Sequence, residues 1–166
     1  FQSFTNTYAP VEKLRKLYTN ALSFNNVVGL SIGTRPDCIN QSVLALLKEL
    51  SEKTYITVEL GLQTSNEKSA FFINRQYKNE EFKKAVKMLN SVGIDVIAHI
   101  IFGLPHETKD DMLNSVNYAV DCGIKGIKIQ LLHILKNTRL AEIYKNDPFK
   151  ILTLEEYCEL VVSAVS

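Results

Sequence analysis

The feature that most constrains this chain is an alternation of two periodicities. Apolar runs at 27–32, 55–62, 94–102 and 126–132 have the length of buried strands, and longer stretches between them repeat apolar residues at helical spacing. Helical stripes begin after Pro10, placed as the first residue of a helix, with Val11, Leu14, Tyr18, Ala21 and Leu22. A second stripe is Val43, Leu46, Leu47 and Leu50 behind Asn40 as cap, and a third is Phe82, Ala85, Val86 and Leu89, closed by Gly93. Residues 65–73 read as a short helix or irregular turn. Thr108 and Asp111 pair as a capping box opening a helix through Met112, Val116 and Ala119, which Gly123 ends. Thr153 and Glu156 cap a last helix with the stripe Leu154, Tyr157, Cys158 and Val161.

Strands alternating with helices imply right-handed βαβ crossovers and a parallel sheet, in an α/β fold that closes as a barrel or lies open. Side-chain parity favours the barrel. Gly29, Ser31 and Gly33 share one face of their strand, as do Glu59, Gly61 and Gln63, and likewise Lys128 and Gln130. An ordinary eight-stranded barrel packs its lumen with branched apolar residues, so this polar face predicts an incomplete or wider barrel that admits a ligand. An open sheet with scattered polar edges is the alternative.

At 166 residues the chain suits one domain, 1–166, and 19 basic against 18 acidic residues give no electrostatic reason for strong binding to nucleic acid or an anionic membrane. No apolar run is long enough to span a bilayer, no secretory signal opens the chain, and a cytoplasmic location is expected. Cys38, Cys122 and Cys158 are too widely spaced for a disulfide framework or a metal motif and read as structural thiols. The apolar start at Phe1 suggests a chain entered inside an element, a fragment of a longer protein.

Active sites of parallel β/α folds lie beyond the carboxyl ends of the strands. There the chain places Thr34, Arg35 and Asp37, then Gln63, then His99 with the Gly103-Leu104-Pro105 turn, then His133 and Lys136. His99, set among apolar neighbours, needs a partner or a ligand. Gly103 to Pro105 supplies a sharp turn and exposed backbone donors suited to a flat heterocycle, or merely aims the next helix. Arg75 is a bidentate clamp for a carboxylate or a surface salt bridge. Dinucleotide, nucleotide-phosphate and nucleophile-elbow motifs are missing, which weakens hydride-transfer, kinase and hydrolase readings.

Thr5-Asn6-Thr7-Tyr8, Thr34-Arg35-Pro36-Asp37, Glu59-Leu60-Gly61-Leu62-Gln63-Thr64, Ile73-Asn74-Arg75, Gly103-Leu104-Pro105 with Glu107-Thr108, and Leu131-Leu132-His133 follow one another in an order that resembles the radical S-adenosylmethionine (SAM) superfamily. The likeness is greatest to a bacterial family of unassigned reaction related to the Elongator catalytic subunit and oxygen-independent coproporphyrinogen oxidase. The resemblance implies a partial (β/α)6 barrel lacking here its first β/α unit, with Phe1 to Phe4 ending the second strand. It also implies SAM and a [4Fe-4S] cluster as cofactors, the cluster held by a Cys-x-x-x-Cys-x-x-Cys loop upstream of Phe1, so that residues 1–166 alone would be inactive. By the same resemblance Gln63 meets the SAM ribose or amino-acid part, Arg75 its carboxylate and His99 its ribose hydroxyls. Gly103 and Leu104 border the adenine, and Thr34, Arg35 and Asp37 lie nearest the methionine moiety. Relatives carry Gly-His where this chain has Gln76 and Tyr77, and Gly where His106 and Asn137 stand. The expected function is reductive cleavage of SAM to a 5′-deoxyadenosyl radical for chemistry on tRNA or a small metabolite, with no membrane partner. Two alternatives come from other classes: a non-catalytic RNA- or protein-binding barrel, and a cluster-free β/α-barrel lyase using Lys128 or Lys136.

Overall fold

In the computed structural model, which describes residues 1–166, four parallel strands form one sheet in the order β1-β2-β3-β4. They are β1 (Gly29–Thr34), β2 (Tyr55–Gln63), β3 (Asp95–Phe102) and β4 (Gly126–Leu131). The helices are α1 (Val11–Leu22), α2 (Gln41–Ser51), α3 (Glu67–Phe72), α4 (Asn79–Asn90), α5 (Lys109–Asp121), α6 (Arg139–Asn146) and α7 (Leu154–Val165). The strand order never reverses. Successive right-handed crossovers of that kind carry their helices to one face of a sheet and leave the other face free, which is how a barrel wall is wound.

By contacts the chain forms two compact units, one of residues 1–62, 77–99 and 119–128, the other of 63–76, 100–118 and 129–166. In the first unit β1 alternates strictly, with Leu30, Ile32 and Thr34 buried and Gly29, Ser31 and Gly33 half-buried. Interior β2 is buried from Ile56 to Leu62. The core is Leu30, Ile32, Ile56, Val58, Leu60, Val96 and Ala98 from the strands, against Val43, Leu46, Leu47 and Leu50 of α2 and Phe82, Val86 and Leu89 of α4, all at most 8% exposed. Truncating one such fully buried leucine to alanine costs about 2–5 kcal/mol. Tyr18 of α1 is also fully buried, its hydroxyl donating to Asn6 O at 2.8 Å, and burial pushes its pKa up to about 12. Phe1 pairs with β1 as a parallel strand does, its N donating to Ser31 O and its O accepting from Gly33 N, both at 2.8 Å. In the second unit the buried apolar residues include Ala70, Ile100, Phe102, Leu104, Met112, Val116 and Leu160.

Most helix signals act as their chemistry dictates. Asn40 accepts from Val43 N, Thr108 and Asp111 bond reciprocally, and Thr153 with Glu156 closes a capping box on α7. Several expectations need correction. β1 starts at Gly29 and not at Val27, because Val28 lies in the connection and is 86% exposed. The nine-residue β2 is longer than the eight-residue β3, which begins only at Asp95. Pro10, in an extended conformation, is the cap before α1 and not its first residue. The helix α6 is not among the expected elements; it is short, and its stripe of Leu140, Ile143 and Tyr144 is left without a fully buried residue. In α7 the buried residue is Leu160, while Leu154 and Cys158 of the expected stripe are exposed. Of the three thiols only Cys122 is buried.

Candidate functional site

Every strand of the sheet contributes one residue to a polar cluster in the first unit, and its centre is Glu59 on β2. Parallel register sets Gly33 of β1 opposite Glu59, so Ser31, two residues earlier on β1, shares its face. The Ser31 hydroxyl donates to Glu59 Oε1 at 2.7 Å, and Lys128 Nζ of β4 to the same oxygen at 2.5 Å. His99 Nε2 of β3 lies 2.8 Å from Oε2, and the Gln2 amide donates to both oxygens at 3.1 and 3.3 Å. The Glu59 side chain is 3% exposed, while His99 is 26% and Lys128 41% exposed. A buried acid is thus reached by two partners that also face solvent. Burial, the largest single influence, pushes the Glu59 pKa up, but the hydrogen bonds from Lys128, Ser31 and His99 and the Lys128 charge together prevail and hold it down at about 2. The parity reading placed Glu59 and Lys128 on the polar face, but Glu59 was not singled out. The signal was there, since an acid inside Val58-Glu59-Leu60 must find partners.

Of the other expected site residues in this unit, Thr34 is buried, and its hydroxyl is 2.6 Å from that of Thr7. Its parity on β1 is that of Leu30 and Ile32, not of Ser31. Arg35 pairs with Asp37 through Nε and Nη2 at 2.9 and 2.7 Å and stacks 5.1 Å from the Tyr77 ring centre. That hydrogen bond lowers the Asp37 pKa. Asn6 donates its amide to Gly33 O at 2.8 Å, so the Thr5-Asn6-Thr7 segment fastens the end of β1.

The second unit holds Gln63, Arg75, Gly103 and Leu104. Gln63 ends β2 in the left-handed region, at φ 60°. Arg75 is no surface bridge: its side chain is 2% exposed, its Nη1 donates to Thr64 O at 2.8 Å, and its Nη2 lies 3.5 Å from Glu67. Around Thr64 a second polar network forms. The Thr64 hydroxyl donates to Glu107 Oε1 at 2.5 Å, Ser65 N to Ser115 Oγ at 2.8 Å and the Asn66 amide to Asp111 at 3.0 Å. Burial raises the Glu107 pKa, opposed by the hydroxyls of Thr64 and Ser69. Gly103 adopts φ 87°, and its N–H, expected to be exposed, is instead buried and donates to Met112 Sδ at 3.2 Å. Leu104 is buried. A cleft of about 730 Å³ lined by Ile101, Leu132, His133, Leu154 and Tyr157 lies in this unit, with the Tyr157 hydroxyl bonded to Ile129 O.

The positions where relatives carry Gly are left-handed here, with Gln76 at φ 65°, His106 at 64° and Asn137 at 62°. These side chains adopt at a cost a conformation that glycine takes freely. No three ligating side chains of this chain converge to hold a metal, so the residues present do not fit an iron–sulfur cluster and no step through one is assigned to them. Lys128, one of the two lysines of the lyase alternative, has its Nζ engaged by Glu59 Oε1 at 2.5 Å.

Comparison with known proteins bears on all of this. The Radical SAM superfamily matches residues 4–119, and the Radical_SAM C-terminal domain matches 124–166. Uncharacterized protein YtqA of Bacillus subtilis (strain 168) is 45% identical over 97% of this chain and 50% of its own length. A tRNA uridine(34) acetyltransferase of Methanocaldococcus jannaschii is 28% identical over 94% of this chain and 28% of its own. Among solved structures, the archaeal Methanocaldococcus infernus Elp3 with an N-terminal deletion superposes with a TM-score of 0.75 at 25% identity, covering 92% of this chain and 35% of that one. The chain thus spans about half the length of YtqA and less of the others. With the family match running through β1, β2, β3 and α5, and the partial-barrel winding under it, the chain belongs to the radical SAM superfamily.

Proposed function

We propose that residues 1–166 form the SAM-holding part of an enzyme that cleaves SAM reductively to generate a 5′-deoxyadenosyl radical, with its [4Fe-4S] cluster ligated by residues outside this span. The observation that carries the reading is the superfamily match over 4–119, coinciding with a face that gathers one polar side chain from each strand around Glu59. A cluster held by residues outside this span would supply the electron for that cleavage. This chain's residues would hold and orient the substrate. In the first unit His99 takes the ribose hydroxyls, and Thr34, Arg35 and Asp37 belong to the strand end nearest the methionine moiety. Thr34 would contribute backbone, because its hydroxyl is already bonded to Thr7. In the second unit Gln63 is assigned to the ribose or the amino-acid part, and Gly103 and Leu104 to the adenine. Arg75 is assigned to the carboxylate, although its buried guanidinium already serves Thr64 O. A barrel interior suits this chemistry because a primary carbon radical must be kept from water and stray hydrogen donors.

The test uses the full-length protein, loaded anaerobically with iron and sulfide and given a strong reductant and SAM. Formation of 5′-deoxyadenosine is the expected result, and its absence from a protein shown to carry the cluster would overturn the reading. For the second substrate we favour tRNA over a small metabolite, on the likeness to the tRNA uridine(34) acetyltransferase. With a net charge of +1, this chain offers no broad basic surface, so tRNA contacts would fall to local patches or to the rest of the protein. Comparing tRNA nucleosides from cells with and without the gene by mass spectrometry tests it, and identical profiles would remove tRNA. A cytoplasmic location fits these substrates, and no helix is long and apolar enough to cross a membrane.

A further inference from the structure

The Glu59 cluster fixes which nitrogen of His99 carries its proton. Glu59 is acceptor-only when ionised, and its surroundings keep it ionised far below neutrality. The atom of His99 in contact with it, Nε2 at 2.8 Å, must therefore be the donor. Lys128 already sits on Oε1 at 2.5 Å as counter-charge to the one carboxylate, so the His99 contact calls for a hydrogen bond and not for a second cation. The neutral Nε2–H form leaves Nδ1 as a lone-pair acceptor, and no protein group hydrogen-bonds Nδ1. His99 is 26% exposed, so this acceptor can be offered to a ligand. On this basis we propose that Glu59 is a positioning residue that locks His99 in the Nε2–H tautomer, so that His99 accepts a hydrogen bond from a ligand hydroxyl and does not donate one. The proposal deepens the SAM reading and rests on it for the identity of the hydroxyl, a ribose OH. The tautomer lock itself stands on the protein alone.

Replacing Glu59 by glutamine gives a sharp expectation. An amide has one acceptor oxygen, and the side carrying both Lys128 and Ser31 demands it. The amide NH2 then faces His99 Nε2 and forces the proton to Nδ1, while Gln2 can turn its own amide to accept. Acceptor becomes donor at the ligand face, with little change in shape.

The experiment is long-range 1H–15N correlation of the histidine rings in full-length, 15N-histidine-labelled protein at neutral pH, with the His99 signals identified by their loss in His99→Asn. SAM binding is measured by calorimetry on the same proteins. Wild type should show protonated Nε2 and bare Nδ1, Glu59→Gln the reverse, and Glu59→Gln should bind SAM at least tenfold more weakly. Protonated Nδ1 in wild type, two protonated nitrogens, or a tautomer unmoved by Glu59→Gln would each overturn the lock, and the wild-type spectrum decides even if the variant does not fold. His99→Ala separates the two claims. Undiminished SAM affinity in that variant would overturn the placement of SAM at His99, whatever tautomer the spectrum reports.

Discussion

Two carboxylates in this molecule, Glu59 buried and Glu107 half-buried, are treated in opposite ways. Glu59, in the first unit, is held by a lysine, a histidine, a serine and an amide, and its pKa is drawn down to about 2. Glu107, in the second, has only hydroxyls for partners, and burial drives its pKa up. The surroundings differ too. Partners of Glu59 reach solvent, whereas Thr64, Ser115 and Arg75 of the second network are at most 5% exposed. A charged centre with half-open partners is poised to present them to a ligand. A closed network with one guanidinium inside it holds a turn together. The difference separates a cluster whose partners are open to solvent from a network closed around a turn better than residue type alone.

The largest expected effect falls on the scaffold. Arg75→Ala would leave Thr64 O without its donor and open a cavity where the guanidinium packs, at about 4 kcal/mol of stability by chemical denaturation. A loss under 1 kcal/mol would mean that Arg75 does not hold the turn. Next comes the acid limb of the first cluster. The folded pKa of Glu59 lies below its ordinary value of 4.5, so the stabilisation it gives is complete above pH 4.5 and drains away as pH falls towards 2. With allowance for water near Lys128, the loss over that window is about 2–3 kcal/mol. Measured against pH, stability of Glu59→Gln should fall less steeply below pH 4.5 than that of wild type. Parallel curves would show that Glu59 is not held down as its partners imply. A matched pair of serines gives a smaller contrast. Ser115→Ala removes a buried hydroxyl that accepts from Ser65 N and donates to Asp111 O and should cost about 2 kcal/mol, while Ser31→Ala removes one of several donors to Glu59 and should cost about 1 kcal/mol. Equal costs would erase the distinction between the two networks.

How much of this was legible in the sequence follows from which signals are local. Strand and helix order, the Asn40 cap and the Thr153–Glu156 box depend on neighbours a few residues apart, and the structure keeps them. Parity alone put Ser31, Glu59 and Lys128 on one side of their strands. What parity could not supply is register: that Gly33 stands opposite Glu59, and so that four strands converge on one carboxylate, depends on how β1 and β2 pair. Burial of Arg75 was hidden for a similar reason, since its partner Thr64 O is a backbone atom that no residue pattern advertises. The α6 helix escaped because it is only eight residues long, although Thr138 caps it and Leu140, Ile143 and Tyr144 stand at helical spacing.

Left-handed residues other than glycine occur in both units, Phe4 and Asn26 in the first and Gln63, Asn74, Gln76, His106 and Asn137 in the second, and Gln76 gives a handle on the second unit alone. Asparagine tolerates that region, but a glutamine with an ordinary Cβ pays about 1 kcal/mol or more for it. Gln76 is exposed, and its side-chain hydrogen bond runs only to its neighbour Asn74, so little holds the side chain in return. Gln76→Gly relieves the strain at the cost of a freer unfolded chain, and the balance should favour the folded state by about 0.5 kcal/mol. The measurement is the denaturation midpoint of the full-length protein, with Glu59 left intact so that only the second unit is perturbed. A midpoint that falls would mean that the Gln76 side chain is held by more than its turn, and that the second unit is tuned at this position as tightly as the first is around its carboxylate.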